Sequence, residues 1–327
     1  GRRAVAAGPR RAGRTAFFGV GNYASRILIP AFKTAGADLD TAVSSAGLSS
    51  VHYGKKLGFR KASTDNQGVL YDQNIDMVVI ATPHNSHAKL AIDAIRKGKH
   101  VFVEKPLAIK VSELEEIQTA MDETKNKSIL MVGFNRRFAP MIKTMKGLID
   151  KTARPKSIVI TVNAGLVPQE HWIQQKDIGG GRIVGEGCHF IDLARYLVGA
   201  PIANHHIQSI SPNSGENITS DKAVILLSFE DGSIATIHYL ANGGKSFPKE
   251  RVEVFCNDGV LQLNNYRSLI GYSWPGFKGI KSLKQDKGQK NCAKQFVNAV
   301  KGGGASPISL EELIEVSRVS IELEEAV

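Results

Sequence analysis

Between residues 15 and 133, short apolar runs alternate with helical patterns, and that alternation leaves few folds open. Thr15–Val20 is the first apolar run. Gly19-Val-Gly-Asn-Tyr-Ala24 overlaps its end and leads into Ser25–Ala35, where Ile27, Leu28 and Ala31 keep helical spacing and Pro30 interrupts or bends the helix. Asp40–Ser45 predicts a second strand and Val51–Leu57 a second helix. Met77–Ala81 (MVVIA) is continuously apolar, as a strand covered on both faces has to be. An amphipathic helix over His87–Lys97 stops at Gly98, and His100–Val103 is the next strand. A capping box of Ser112 and Glu115 opens a helix that runs to about Asn126, and Ser128–Gly133 ends the series. Strands that alternate with helices imply right-handed crossovers, hence an α/β fold: a doubly wound parallel sheet with helices on both faces.

Beyond residue 133 the grammar changes. Lys156–Asn163, Ala223–Phe229, Ser233–Leu240, Arg251–Cys256 and Val260–Leu263 are strand-like. Glu230-Asp-Gly-Ser233 and Asn257-Asp-Gly259 are turn signals between them. One helix over about Ile183–Val198 sits among these strands, and two more, near Asn291–Val300 and Ser309–Glu325, close the chain. This half reads as a largely antiparallel sheet, α+β in character. A length of 327 residues suits about two domains. The expected division is an arm at 1–14, a parallel α/β domain at 15–133, and an α+β domain at 134–327.

The net charge of +11 is uneven, because residues 1–14 (GRRAVAAGPRRAGR) hold five arginines and no acid. That segment reads as a flexible arm: a cloning remnant, a linker from an upstream domain, or an Arg-rich targeting sequence. A nucleic-acid partner is disfavoured, since no aromatic residue is interleaved to stack on bases. The milder excess elsewhere is compatible with a small anionic substrate. Cys188, Cys256 and Cys292 form no C-x-x-C pair, which argues against a disulfide framework or a thiolate zinc site and for a reducing, cytoplasmic setting. No apolar run approaches the roughly 20 residues of a membrane helix.

Four constellations carry chemistry. In Gly19-x-Gly21-x-x-Ala24, Gly19 permits a tight turn, Gly21 lets backbone approach a pyrophosphate, and Ala24 allows close helix–strand packing. The second strand ends in Ser44-Ser45 without the acid that usually reads a ribose 2′-hydroxyl. With Lys55 and Lys56 nearby, NADP is therefore as acceptable as NAD. Thr82-Pro83-His84-Asn85-Ser86-His87 leaves a strand at its carboxyl end, where such sheets bind ligands. Its loop has no carboxylate or cysteine, so a helix cap with cofactor contacts fits better than a metal site. Glu104-Lys105-Pro106 also follows a strand end, and its lysine could donate to a substrate hydroxyl; the plainer alternative is a solvated Glu–Lys pair. Finally, Glu186, His189 and Asp192 are spaced by three on one helix, so either acid could orient the histidine as a general base. The alternative there is a packed histidine beside an Asp192–Arg195 pair.

GVGNYA, ATPHNSH, VFVEKPLA, VGFNRRF and GGG…HFIDLARYL occur in an order that resembles the Gfo/Idh/MocA family over about residues 15–327. The resemblance implies a Rossmann domain followed by an open-faced, mixed or antiparallel α+β sheet domain that often builds dimers or tetramers. It implies NAD(H) or NADP(H), and hydride transfer at a carbinol carbon of a sugar, sugar acid, polyol or nucleotide-linked sugar. By the same resemblance Lys105 contacts the reacting hydroxyl and nicotinamide ribose, and His189 is the catalytic histidine. Asn135 and Arg136 lie near cofactor and substrate. Arg137 and Trp172 fall on the substrate side. The expected cofactor set is Gly19, Gly21, Asn22, Tyr23, Ala24, Ser44, Thr82, Pro83, His84, Asn85, His87, Glu104, Lys105, Asn135 and Arg136; the substrate set is Lys105, Arg137, Trp172, Glu186 and His189. Many relatives carry an Asp four residues before the histidine. Here that residue is Gly185, which leaves Glu186 as the candidate acid. The GGGRIVGEGCHFIDLARYL version looks like a subgroup often fused to zinc-type alcohol dehydrogenase domains. Two other functions stay open: a redox-neutral glycosidase or epimerase that uses bound NAD transiently, and a non-catalytic dinucleotide-binding regulator.

Overall fold

The structure, a computed structural model, describes residues 13–44, 54, 56–210 and 221–327. Its first sheet contains β1 (Arg14–Phe18), β2 (Asp38–Val43), β3 (Lys61–Ser63), β4 (Met77–Ile80), β5 (His100–Val103) and β6 (Leu130–Val132), ordered β3-β2-β1-β4-β5-β6 with neighbours parallel. Helices α1 (Ile29–Thr34), α2 (Asn66–Tyr71), α3 (His87–Arg96) and α4 (Val111–Glu123) make or flank the crossovers. Met77, Val78, Val79 and Ile80 are fully buried. Each such side chain contributes about 1.5–3 kcal/mol, which explains why this run is central. The strand order reverses between β1 and β4, and a crevice opens there at the strands' carboxyl ends.

Several local expectations shift. Gly13 N–H donates to the Asp76 carboxylate at 2.9 Å and β1 begins at Arg14, so the sheet claims the last two residues of the anticipated arm. Residues 1–12, Ser45, Lys55 and most of the predicted helix over Val51–Leu57 lie outside the described residues. Pro30 stands in the first turn of α1, where a missing N–H costs nothing. The capping box belongs two residues earlier than predicted: Glu113 accepts the N–H groups of Ile109 (2.9 Å) and Lys110 (3.2 Å). The short β3 and α2 were not anticipated.

The second sheet contains β7 (Ser157–Asn163), β8 (Ile202–Ser209), β9 (Lys222–Phe229), β10 (Ile234–Leu240), β11 (Glu250–Cys256), β12 (Gly259–Asn264), β13 (Ser268–Tyr272) and β14 (Gly279–Lys281). Their order is β14-β13-β12-β11-β7-β10-β9-β8; β7 and β10 are parallel, the other neighbours antiparallel. Alternate residues such as Ile158, Ile160, Val162, Ile237 and Tyr239 are buried on one face, the side of α5 (Pro140–Ile149) and α6 (Cys188–Val198). The opposite face leaves Leu226, Ile234, Phe255 and Tyr272 exposed.

The chain then returns to its first half. Helix α7 (Gln289–Gly302) packs on α1, with Phe296 edge-on to Phe32 and Phe102 at 6.1 and 5.6 Å. Helix α8 (Leu310–Glu325), capped by Ser309, lies against α6. Among the described residues, no helix is long and apolar enough to cross a membrane.

A buried ion cluster ties the start of the second half to its sheet and to the segment before α7. Arg136, in the turn after β6, donates twice to Glu250 of β11 at 2.9 Å, and Lys287, just before α7, donates at 2.7 Å. Burial opposes ionisation of Glu250, but Arg136 and Lys287 outweigh it and hold the carboxyl at about 2. Because that pKa is depressed, the stabilisation is present above about pH 4.5 and fades as pH falls toward 2. Glu250→Ala should lower unfolding free energy at pH 7 by about 3–5 kcal/mol in urea titrations, and the gap to wild type should close with acidification. An equal gap at pH 7 and pH 3 would contradict this.

Candidate active site

The crevice at the strand ends is a cleft of about 650 Å³. Gly21, Asn22, Tyr23 and Ala24 form one wall, with Thr82, Pro83, His84 and His87 beside them. Glu104, Lys105, Asn135, Arg136, Trp172, Ile173, His189, Lys287 and Gln289 form the rest. Lys105 and His189, 84 residues apart in sequence, thus face one space.

The phosphate-turn geometry follows from its glycines. Gly19 has φ +91°, and a Cβ there would lie 2.4 Å from the Ala81 carbonyl oxygen, so no other residue fits between β1 and β4. A Cβ on Gly21 would meet nothing within 4 Å. That open approach beside the backbone suits a pyrophosphate, and the helix-start N–H groups behind it are natural donors. Residues Ala24–Leu28 form a wide turn with an i→i+5 bond from Ile29 N to Ala24 O, a local widening common at functional sites. Ser44 directly follows β2, its N–H donating to Ser63 O at 3.2 Å, and lies outside the cleft lining.

His84 and His87 are pinned by carbonyl oxygens. His84 Nδ1 meets Gly179 O at 2.7 Å, and Asn85, itself exposed, bonds Ile178 O through its backbone N–H at 3.0 Å. These contacts dock the loop onto the second half and shape the cleft. The Trp172 ring stands edge-on to His84 at 4.7 Å. The His87 ring lies between Pro106 O (2.7 Å from Nδ1) and Thr82 O (2.9 Å from Nε2), packed between the two strand-end loops, and as a neutral imidazole it donates to one of the two. Burial, with Lys105's charge adding to it, pushes His84 down to about 3; burial likewise lowers His87.

Glu104 is not a solvated partner of Lys105. It is buried, and burial raises its pKa to about 7. Lys105, joined to Pro106 by a cis peptide bond, donates from Nζ to Gly185 O at 2.6 Å. Gly185 belongs to a second wide turn, Ile183–Gly187, that leads into α6. The strand-end lysine thereby reaches the segment that carries His189.

The expected orienting acids are engaged elsewhere. Asp192 takes a two-pronged bond from Arg137 (2.6 and 3.1 Å), not from Arg195, which pairs with Glu315 at 2.9 Å. Arg137 also holds Glu312 at 2.8 Å and is withdrawn from the cleft lining, away from the substrate side where it was expected. Glu186 is held by Arg182 (2.8 Å), Tyr239 (2.7 Å) and Lys249 (3.1 Å) and is likewise outside the lining. Against the cost of burial, these partners hold its pKa at about 2. Each carboxylate has taken the nearest cation, so neither orients His189. At Gly185 a Cβ would crowd Ile173 and His84 at 3.1–3.2 Å.

His189 is 6% exposed, and its Nδ1 is buried with no hydrogen-bond partner among the described residues. Burial lowers its pKa well below 6.5, and Arg136, Lys105, Lys287 and Lys249 all push it further down. The imidazole is therefore neutral. Ile173, Lys287, Gln289 and the Arg182–Tyr239–Lys249 group were missed in the sequence. Their only signal was position: Lys287 and Gln289 flank the start of α7.

Two family profiles match. "Oxidoreductase family, NAD-binding Rossmann fold" covers residues 13–134, and "GFO/IDH/MocA C-terminal domain" covers residues 142–262. Among curated relatives, Uncharacterized oxidoreductase YrbE of Bacillus subtilis is 30% identical over 63% of this chain and 60% of its own length. Myo-inositol 2-dehydrogenase of Thermotoga maritima is 29% identical over 79% of each chain. Among solved structures, an oxidoreductase domain protein from Kribbella flavida superposes with TM-score 0.81 at 23% identity over 96% of this chain and 97% of that one. Levoglucosan dehydrogenase in complex with NADH and levoglucosan gives TM-score 0.81 at 22% identity over 96% of each, a likeness of fold. With both family profiles matched in chain order, over residues 13–134 and 142–262, the protein belongs to the Gfo/Idh/MocA oxidoreductase family.

Proposed function

We propose that this chain moves a hydride between NAD or NADP and a carbinol carbon of a sugar or polyol. The observation that carries the reading is the convergence of Lys105 and His189 on a cleft whose other wall is the Gly19–Ala24 turn. The names of the inositol and levoglucosan dehydrogenase relatives support the substrate class.

The Gly19–Ala24 backbone, Asn22 and Tyr23 would hold the phosphates and riboses, with Thr82 and Pro83 alongside. The dinucleotide, when bound, supplies the hydride acceptor or donor. His189, neutral and buried, accepts the hydroxyl proton through its cleft-side nitrogen. Lys105 swings from the Gly185 carbonyl to donate to the oxygen as negative charge develops there, a contribution of about 10²-fold or more. Trp172 and Ile173, in the same lining, would lie against the substrate.

We further assign residues 15–133 to cofactor binding and 134–327 to substrate binding and assembly. The exposed sheet face bearing Leu226, Ile234, Phe255 and Tyr272 is the proposed surface for a homo-oligomer. Three buried free cysteines suit the cytoplasm, and the GGGRIVGEGCHFIDLARYL stretch suits the subgroup fused to zinc-type alcohol dehydrogenases.

Gly21→Val should abolish NADH binding in a fluorescence titration while leaving the unfolding midpoint unchanged. Gly19→Val, which drives a side chain into Ala81, should instead destabilise the fold. Undiminished NADH binding by Gly21→Val would exclude this placement.

His189→Ala should lower turnover about 10²-fold or more with NADH binding intact. Because His189 is depressed, the active neutral form persists into acid: kcat/KM for oxidation should stay level from pH 8 to about pH 6. A histidine-like fall centred near 6.5 would contradict the assignment.

A further inference from the structure

Sequestration of the acids leaves the substrate end of the cleft with an unbalanced charge. Arg136 and Lys287 share one carboxylate, Glu250. That group keeps one positive charge in excess. Lys105 adds a second, because its ammonium rests on the Gly185 carbonyl instead of a carboxylate. Arg182, Lys249 and Glu186 stand behind the lining, with Asp221 also beside Arg182, and are left out of this count. The acid that does line the cleft, Glu104, is buried, and with its pKa raised to about 7 it offsets only part of one of these charges at neutral pH. Cofactor phosphates do not cancel this surplus, since they belong at the Gly19–Ala24 turn, and an oxidised nicotinamide brings a further positive charge.

The second observation is His189 itself. It lies within the field of Arg136, Lys105, Lys287 and Lys249, with no carboxylate bonded to it and its buried Nδ1 unpartnered. A base in that field resists protonation. A negative charge placed among the cations relieves the resistance and makes the proton transfer easier.

Resting on the hydride-transfer reading above, we infer that the carbohydrate taken by this cleft is an anion, carrying a carboxylate or phosphate group that Lys287 and its neighbours meet. A neutral polyol would leave the cationic surplus uncompensated in a buried site, where an unpaired charge is costly. Lys287 is the specificity-determining residue of this account: its side chain is 18% exposed, it lines the cleft, and Glu250 remains paired with Arg136 when it is removed.

The test is calorimetric titration of the NADH-loaded protein with matched pairs: glucuronate against glucose, galacturonate against galactose, and glucose 6-phosphate against glucose. At least one acidic member should bind tenfold or more tighter than its neutral counterpart, by an amount that shrinks with added salt. Which acidic member prevails separates a carboxylate from a phosphate ester. Lys287→Met should weaken the acidic ligand about tenfold and leave the neutral one unchanged, and Lys287→Arg should retain the preference. Neutral members binding as tightly as the acids, or no acid binding at all, would overturn the inference. Absorbance at 340 nm with NAD⁺ and the bound acid is read separately. Tight acid binding without reduction would sink hydride transfer and leave the anion preference standing.

Discussion

The bond from Lys105 Nζ to the Gly185 carbonyl, 2.6 Å long, is where the two halves become one site. An ammonium at a buried strand end needs an acceptor, and this one finds it on a different domain. The donor is fixed by the β5 end and its neighbouring loop, which His87 clamps through Pro106 and Thr82. The acceptor is fixed by the wide turn Ile183–Gly187, four residues ahead of His189. Moving either support would separate the lysine from the histidine. A second interdomain contact, His84 to Gly179, holds the same geometry from the side of the neighbouring loop.

Much of the first half was legible because it obeys local rules. MVVI had to be a central strand, since a continuous apolar run needs cover on both faces, and all four residues are buried. GVGNYA announced its turn because only glycine satisfies the φ +91° at residue 19. The reading failed where the deciding partner came from far away. Spacing by three correctly put Glu186 and Asp192 on either side of His189, but it could not show that Arg137 approaches Asp192 from 55 residues earlier or that Tyr239 and Lys249 reach Glu186 from the second sheet. The edge strands β8 and β14, and β13 beside β14, escaped notice because they are short, polar or glycine-bearing and show weak alternation. The return of α7 onto α1 was invisible for the same reason: helical spacing reveals which side of a helix is apolar, not what covers it.

The buried charges share one pattern: two cations flank each of Glu250 and Glu186. Such clusters add little net stability against a well-packed apolar alternative. Their effect is to fix the sign of the field inside the cleft. His189 stays neutral, the pKa of Glu104 is raised to about 7, and Lys105 is a donor held by a carbonyl and by no carboxylate. Substrate hydroxyls and developing negative charge therefore meet a site already arranged to receive them.

The central claim is that Lys105 and His189 act on a carbon placed against the nicotinamide. A crystal structure of the protein with NADH tests it most directly. The account predicts the pyrophosphate on the Gly19–Ala24 backbone and the nicotinamide C4 facing the gap between the Lys105 ammonium and the His189 ring. A nicotinamide directed out of the cleft, or one with Lys105 and His189 on opposite sides and out of reach of a common substrate oxygen, would contradict it.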